Sequence, residues 1–565
     1  MYWRRSKPRR KKLEIMCMFS KDSTAVLCKI ILPLAMMFST SCTSLELQLD
    51  SQFPYNHLGT RDSQKEHTIS NPVPEDVNTT TSSTAGDEGP LKIGVQEAVL
   101  MVMQNNQDLI VQRMNPSIKR TFEDEQRAIF DPVLGAEMSS TRTVAERLSR
   151  AGSDTESSTV DRILGLAFID QFFPTGTNLS LEGSTSIVDS SLYTDTFVGT
   201  RLGLTVTQAL LQGADIRANT ASIHQAKVDI RISEYELRGF AELLIEEVES
   251  RYWDYALAQR QIEIYTDSLN LAQKQMAEVE ERIKIGKLAE TELAAAQAEV
   301  ALRRENLINA RSNLAKEHLL LLKLLNSPGE NMWERQLILQ YQPVVPSVEL
   351  DDVEQHVKVA LKMRADLNQA RMEVQKGDLE IVKTKNGLLP RLDFFLTFGK
   401  TGYSDSFNRS LHNIDGDSYD VIAGLLFEYP PINRGARARH NRAVITRQQA
   451  VEAVDNLAQV VQVDVRSAYI EVNRTKEQMA ATAATRKFQE EKQRSETEKF
   501  RVGKSTSLLV AQAQRDLVAS QIAEIEAVVN CLKSLVNLYR LEGSLLERRG
   551  IFTLAPKTAT LNGVD

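Results

Sequence analysis

Glu491–Asp516 reads EKQRSETEKFRVGKSTSLLVAQAQRD, and its single interruption is Gly503. On one side, Ala436–Val502 holds neither Gly nor Pro; on the other, Lys504–Glu542 holds neither. Both sides are rich in Ala, Gln, Glu, Arg and Leu, which are good helix formers. The stretch therefore reads as the turn between a very long helix and a helix about half that length. The same punctuation occurs earlier: Ala214–Ile285 contains only Gly239, then comes Gly286, then Lys287–Ser327 without Gly or Pro. Helices of ~70 residues would span on the order of 100 Å.

Apolar spacing says how these helices pack. Val518, Ile522, Ile525, Val529, Leu532, Val536 and Tyr539 alternate spacings of 4 and 3. Leu293, Ala296, Val300, Leu307, Ala310, Leu314, Leu321 and Leu324 keep the same rule, with Arg303 and Glu317 at two gaps. A period of about 3.5 residues predicts coiled-coil packing over long distances. Periodicity alone would fit a purely structural coiled coil equally well.

The chain is also an internal repeat. Ile285-Gly286-Lys287 and Val502-Gly503-Lys504 are 217 residues apart, as are Tyr252 and Tyr469. Each half opens with a helical segment holding a related phrase, Asn106-Gln107-Asp108-Leu109 or Arg364-Ala365-Asp366-Leu367. Each such segment is expected to be one helix of about 36 or about 40 residues, ending at Pro132 or Pro390. Strand-like alternation follows each Pro. Strands are predicted at 132–143, 196–207, 391–400 and 419–429, with an extra hairpin at Leu164–Phe172 and Asn178–Ile187. Each is near the 9–11 residues that cross a bilayer as a tilted strand. Four or six strands cannot close a membrane barrel alone, and an open edge is not tolerated in lipid. Either several copies share one barrel or the hairpins cap a soluble helical bundle; the strand pattern leaves both open.

Composition bounds the rest. The 565 residues are 42% hydrophobic and 25% charged, which is globular. The net charge is −7, but residues 1–29 carry +7, leaving −14 for the remainder. An acidic body argues against nucleic-acid binding. The basic start, the apolar Ile30–Phe38 and the small residues Ser39–Ser41 have the layout of a secretory signal, read as residues 1–41, with Met16 and Met18 as alternative starts. Cys42 stands where a bacterial lipoprotein signal places its acylated Cys; plain cleavage nearby is the alternative. Residues 42–90 are polar and read as a flexible tether. Removal of the signal would leave Cys42 and Cys531, too few for a disulfide framework; Cys531 reads as a small core residue.

Several phrases together resemble the TolC-like outer-membrane efflux proteins. They are Glu97-Ala98 followed by Asn105–Leu109, the TQALLQG of Thr207–Gly213, the YPPINRG of Tyr429–Gly435, and Arg501–Leu509 at the turn. The resemblance spans roughly 91–550, with a first repeat over 91–345, a second over 346–550 and a tail over 551–565. It implies a mainly α-helical fold with a β-barrel portion: three copies forming a 12-stranded barrel and a long helical tunnel in the periplasm. The implied function is a passive exit duct for efflux or secretion, docked by a periplasmic adaptor protein that leads to an inner-membrane pump, with outer-membrane lipid around the barrel and no cofactor. The turns Ile285-Gly286-Lys287-Leu288 and Val502-Gly503-Lys504-Ser505 would meet the adaptor. Any helical hairpin would want a Gly there, so the local pattern alone is weak. Some relatives narrow the pore with acidic residues after the second turn; here Leu509 and Gln512 occupy those positions, and Glu292 is the candidate charge in the first copy.

Other chemistry fits poorly. Gly503-Lys504-Ser505 lacks the Gly that a phosphate-binding loop needs five residues earlier, where Glu498 stands. Seven His occur without HExxH or paired Cys, so a metal enzyme is not expected. Glu246-Glu247 reads as a solvated helix face. The competing class is a periplasmic coiled-coil scaffold or adaptor, which would need neither two related hairpins nor strands of membrane length.

Overall fold

The computed structural model describes residues 90–148, 155–191, 195–326, 332–344 and 350–551. The signal, Cys42 and nearly all of the tether and tail lie outside the described residues. In chain order the elements are β1 (Leu91–Ile93), α1 (Val95–Asn105), α2 (Gln107–Arg127), β2 (Val133–Leu148), β3 (Thr155–Phe172), β4 (Thr177–Ser190), β5 (Phe197–Ala209), α3 (Ile216–Asn219), α4 (Ala221–Lys284) and α5 (Thr291–Leu325). They continue with β6 (Leu337–Leu339), α6 (Val353–Met363), α7 (Ala365–Asn386), β7 (Arg391–Ser404), α8 (Phe407–His412), β8 (Tyr419–Glu428), α9 (Arg434–Arg501), α10 (Ser507–Glu542) and α11 (Leu545–Arg548).

The two long helices, α4 with 64 residues and α9 with 68, are each about 100 Å long. α5 returns along α4 and α10 along α9. Along α5 the 3.5-residue stripe is the covered face, and its two gaps are charged pairs. Arg303 is buried against Glu299 at 2.6 Å, and Glu317 meets Arg251 of α4 at 3.5 Å. Cys531 is buried beside Met479 and Ala527, as a small core residue. The main core forms where both halves meet, around Tyr252, Ile245, Leu321, Leu325, Val461 and Leu538. There the Tyr252 hydroxyl donates to the Ile93 carbonyl at 3.3 Å, beside the short parallel pair β1–β6.

The segments before Pro132 and Pro390 are not single helices. Each is a pair, α1–α2 and α6–α7, broken by extended backbone at Asn106 and Arg364. The reason is tertiary. The C-terminus of α5 arrives at the first break, where Asn106 Nδ2 donates to the Leu324 carbonyl (3.4 Å) and Asn326 Nδ2 to the Asn105 carbonyl (2.8 Å). The C-terminus of α10 arrives at the second, where Gly543 lies so close to the Arg364 backbone that a Cβ would collide with it. Asn326 and Gly543 both adopt left-handed φ, at 42° and 72°. Asn106 also caps α2, its Oδ1 accepting from the Leu109 N–H at 3.0 Å. Thus the short elements stack end to end against the long ones.

The six long strands make one antiparallel sheet in the order β2-β3-β4-β5-β7-β8. The extra hairpin is therefore real and longer than expected. It also sits inside the sheet, between β2 and β5. The family resemblance implies four strands per chain; this chain has six in that sheet.

Candidate functional site

Two regions could serve a duct: the strand wall and the helical tips. In the wall, cross-strand register puts Leu134, Ile169, Leu181, Leu204, Phe398 and Val421 in one row on one face. The next row, on the opposite face, is Gly135, Phe168, Glu182, Gly203, Gly399 and Asp420. On that second face Arg201 forms a bidentate ion pair with Asp420, and Thr205 and Thr397 share a hydrogen bond of 3.0 Å. At this height one face is thus apolar and the other polar over β4, β5 and β7, as in outer-membrane barrels, while β3 also turns Leu164, Leu166 and Phe168 and β8 turns Ile422 and Leu426 to the second face.

The tips share one geometry. At the first, the Gly286 N–H donates to the Ile283 carbonyl (2.9 Å) and the Lys287 N–H to the Arg282 carbonyl (2.8 Å). At the second, Gly503 N–H donates to Phe500 (3.1 Å) and Lys504 N–H to Lys499 (2.7 Å). Each is a Schellman ending, with glycine φ of 74° and 76°. Ile285, Val502, Lys287 and Lys504 are exposed around these glycines, and Leu288 and Ser505 are half-buried. The Ser505 hydroxyl donates to Glu496 at 2.8 Å; that hydroxyl and, more strongly, Lys499 hold the Glu496 carboxyl below its usual range.

The two tips lie side by side. The Arg282 guanidinium sits 4.6 Å from the Phe500 ring centre, and the Ser507 hydroxyl donates to Glu292. Glu292 is therefore engaged in joining the hairpins. Leu509 and Gln512 are exposed on the first turns of α10. Within the chain, Glu292 is brought to the second hairpin, whereas Leu509 and Gln512 face outward.

Sequence reasoning missed a row of buried acids on α4. Glu242, Glu246 and Glu249 face the α10–α11 end of the chain; Arg540 and Arg549 from that end meet Glu246 and Glu249, and Arg238 of α4 itself meets Glu242. Arg238 also pairs with Glu547 at 2.7 Å. Glu246 is half-buried against Arg540 and not on a solvated face; only Glu247 is exposed. Burial raises the carboxyl pKa of all three, to about 7 for Glu242, against the lowering effect of the arginines. The spacing of 4 and 3 put these acids on one stripe, but only long-range packing showed that the stripe was covered. Among the described residues no cluster of His, Cys, Asp and Glu could hold a metal ion, and no helix is long and apolar enough to cross a membrane.

The chain belongs to the outer membrane efflux protein family: that family's model matches residues 170–327 and 357–544, more than half of the chain. Solved structures share its fold at low identity. The outer membrane channel CmeC of Campylobacter jejuni is 14% identical, covers 80% of this chain and 86% of its own, and gives a TM-score of 0.59. CusC is 17% identical over 86% of this chain and 99% of its own, also at 0.59. The outer membrane protein VceC of Vibrio cholerae is 15% identical over 80% and 96%, at 0.58. No curated protein sequence matches significantly. This is an outer-membrane efflux protein with a periplasmic helical portion, and its family consists of channels, not enzymes. Members work as the outer component of efflux pumps, with an adaptor and an inner-membrane pump.

Proposed function

We propose that three copies of this chain form a passive duct from the periplasm to the exterior. One observation carries the reading: a sheet with the apolar row Leu134 to Val421 on one face and Glu182, Arg201 and Asp420 on the other, with no strand partner at the edges β2 and β8 among the described residues, continues into helices about 100 Å long. Such a sheet is complete in lipid only when its edges meet other copies. Exposed apolar residues on the helices support the same conclusion. Val111, Met114, Ile118 and Phe122 line one face of α2, and Ile470 and Phe488 stand bare on α9. These are surfaces that a neighbouring copy would cover. Three is the number the family resemblance implies. Its 12-stranded plan would draw on β2, β5, β7 and β8 of each copy.

In this reading the tips at Ile285–Leu288 and Val502–Ser505 meet the hairpin of a periplasmic adaptor, which leads to an inner-membrane pump. Ile285 and Val502 supply apolar contact, and Lys287 and Lys504 favour an acidic partner surface. Leu509 and Gln512 line the constriction, with Glu292 bracing it from behind. Cys42 is acylated, adding a lipid anchor. The strand faces weigh against a periplasmic scaffold, which would have no use for a lipid-suited wall.

The test is membrane fractionation of the host, followed by the mass of the detergent-extracted particle. The expected result is an outer-membrane particle of three mature chains after subtraction of detergent. A soluble monomer or dimer would overturn the duct. Ile470→Asp is expected to lower the yield of that particle several-fold, while Glu247→Ala leaves it unchanged.

A further inference from the structure

We propose that β3 and β4 are full staves of the shared barrel, so that it has eighteen strands, six from each copy, in place of twelve. The inference rests on the three-copy reading above and adds the fate of the inserted hairpin. Four observations carry it.

First, β3 and β4 separate β2 from β5 with continuous ladders. β2 pairs with β3 from Val133↔Asp170 to Leu148↔Thr155, and β4 pairs with β5 from Thr177↔Gln208 to Val188↔Phe197. A 12-stranded wall would have to break both ladders and slide β2 onto β5. Each backbone group freed in lipid would cost several kcal/mol.

Second, the hairpin stands at the same height as the other strands. The apolar row from Leu134 to Val421 passes through Ile169 and Leu181 without a polar interruption. On β4 the alternation is that of a membrane stave. Leu179, Leu181 and Ile187 share the face of Leu204, while Ser180, Glu182, Ser184 and Ser186 share the face of Arg201. A hairpin standing in water above the bilayer has no need of that apolar side.

Third, the added strands join the wall by the same device as β7 and β8. The Phe168 ring occupies the space where Gly135 lacks a Cβ, and the Phe395 ring does so over Gly424. Both pairs are direct cross-strand neighbours on the polar face, and such rings lock register.

Fourth, six is an even number, so β2 and β8 run in opposite directions. The edge of one copy can therefore continue the antiparallel pattern onto the opposite edge of the next, in a head-to-tail ring. The edges show the missing neighbour: Leu134 and Leu425 are 79% and 66% exposed, against 41% for Ile169 and 39% for Leu204 inside the sheet.

The consequence is a wider outer mouth. With strands about 4.8 Å apart and tilted by about 40°, twelve staves close at a backbone diameter of about 24 Å and eighteen at about 36 Å. The extra wall adds Glu182 of each copy to the water-facing side, near the Arg201–Asp420 pair.

The experiment places a nitroxide at each of residues 180–187 of the full chain, in a background without other reactive thiols, reconstituted in liposomes. Accessibility to oxygen, which partitions into lipid, and to a nickel chelate, which stays in water, is then read at each position. Oxygen is expected to peak at 181, 183, 185 and 187 and the chelate at 180, 182, 184 and 186, on a particle of three copies. Chelate access at every position, on the same three-copy particle, overturns the eighteen-strand wall and leaves the duct standing. Alternation on a two-copy particle overturns the count of eighteen through the failure of the three-copy reading. A particle that stays in water fails both. As a check against misfolded variants, Ser184→Arg is expected to assemble as the parent does, whereas Leu181→Arg loses most of the assembled particle; equal behaviour of the two also overturns the proposal.

Discussion

α4 and α9 are near-equals in length and opposites in surroundings. α4 is packed by α1, α2, α5, α7 and α10, and it buries Glu242, Glu249 and Tyr252. α9 packs against α6, α7 and α10 and leaves Ile470 and Phe488 bare, at 67% and 70% exposure. Two copies of one helical hairpin have thus taken different duties. The first is covered by more of the chain's own helices and carries buried acids, though Leu243 and Ile308 stay exposed on it; the second has fewer neighbours within the chain and leaves more apolar surface bare. The strand wall repeats the asymmetry, since only the first half carries the inserted hairpin.

The largest expected effect tests the clamp on α4. Arg549 meets the buried carboxylate of Glu249 at 2.5 and 2.6 Å. Arg549→Ala strands that charge and is expected to cost about 3 kcal/mol or more in denaturant unfolding, with recovery when Glu249→Gln is added. The position 217 residues on is Arg466, whose partner Glu354 is exposed. Arg466→Ala should change stability by no more than about 0.5 kcal/mol. Equal losses at the two sites would abolish the distinction between the halves.

Next are the helix ends that abut the breaks. Gly543 has a φ of 72° and no room for a Cβ against Arg364. Gly543→Ala is expected to cost about 2–4 kcal/mol. Asn326→Gly, at the matching place in the first half, relieves its left-handed φ of 42° but removes the hydrogen bond to Asn105, so its midpoint should move by only about 1 kcal/mol.

A smaller effect comes from pH. The Glu242 carboxyl is pushed up from 4.5 to about 7, mainly by burial. Between those values the folded chain binds more protons than the unfolded chain, so this group's contribution to stability falls as pH rises from about 4.5 to about 7. Glu242→Gln removes the dependence. The variant should gain about 2 kcal/mol on the parent between pH 5 and pH 8, read from unfolding midpoints at both values. A parallel pair of pH curves would refute the burial assigned to Glu242.

The smallest expected difference is at the tips, where the halves agree. Gly286 and Gly503 have φ of 74° and 76°, with nothing near a new Cβ. Gly286→Ala and Gly503→Ala should each cost about 1 kcal/mol, by conformational strain alone, and by the same amount. If the proposed adaptor contact is made at these turns, a loss of efflux beyond that strain at one tip only would show which of the two carries it.

Local chemistry made much of this legible in the sequence. A run without Gly or Pro can hardly be other than helix, and a lone Gly between two such runs is where the chain can turn back. Alternation over ten residues marked the strands for the same reason, since side chains of a strand point to opposite faces. The tertiary structure decided what depends on a distant partner. The segments ending at Pro132 and Pro390 broke at Asn106 and Arg364 because the ends of α5 and α10 arrive there. Arg303, a gap in the apolar stripe, is buried beside its helix neighbour Glu299, and the long-range part of that cluster is Arg515 of α10, 3.7 Å from the same Glu299 carboxylate. The hairpin of β3 and β4 entered the wall because its two outer edges found β2 and β5, whose partner residues lie up to 37 residues away along the chain. Periodicity says which face of a strand is apolar; only pairing, which a strand cannot satisfy by itself, says which strand stands next to it.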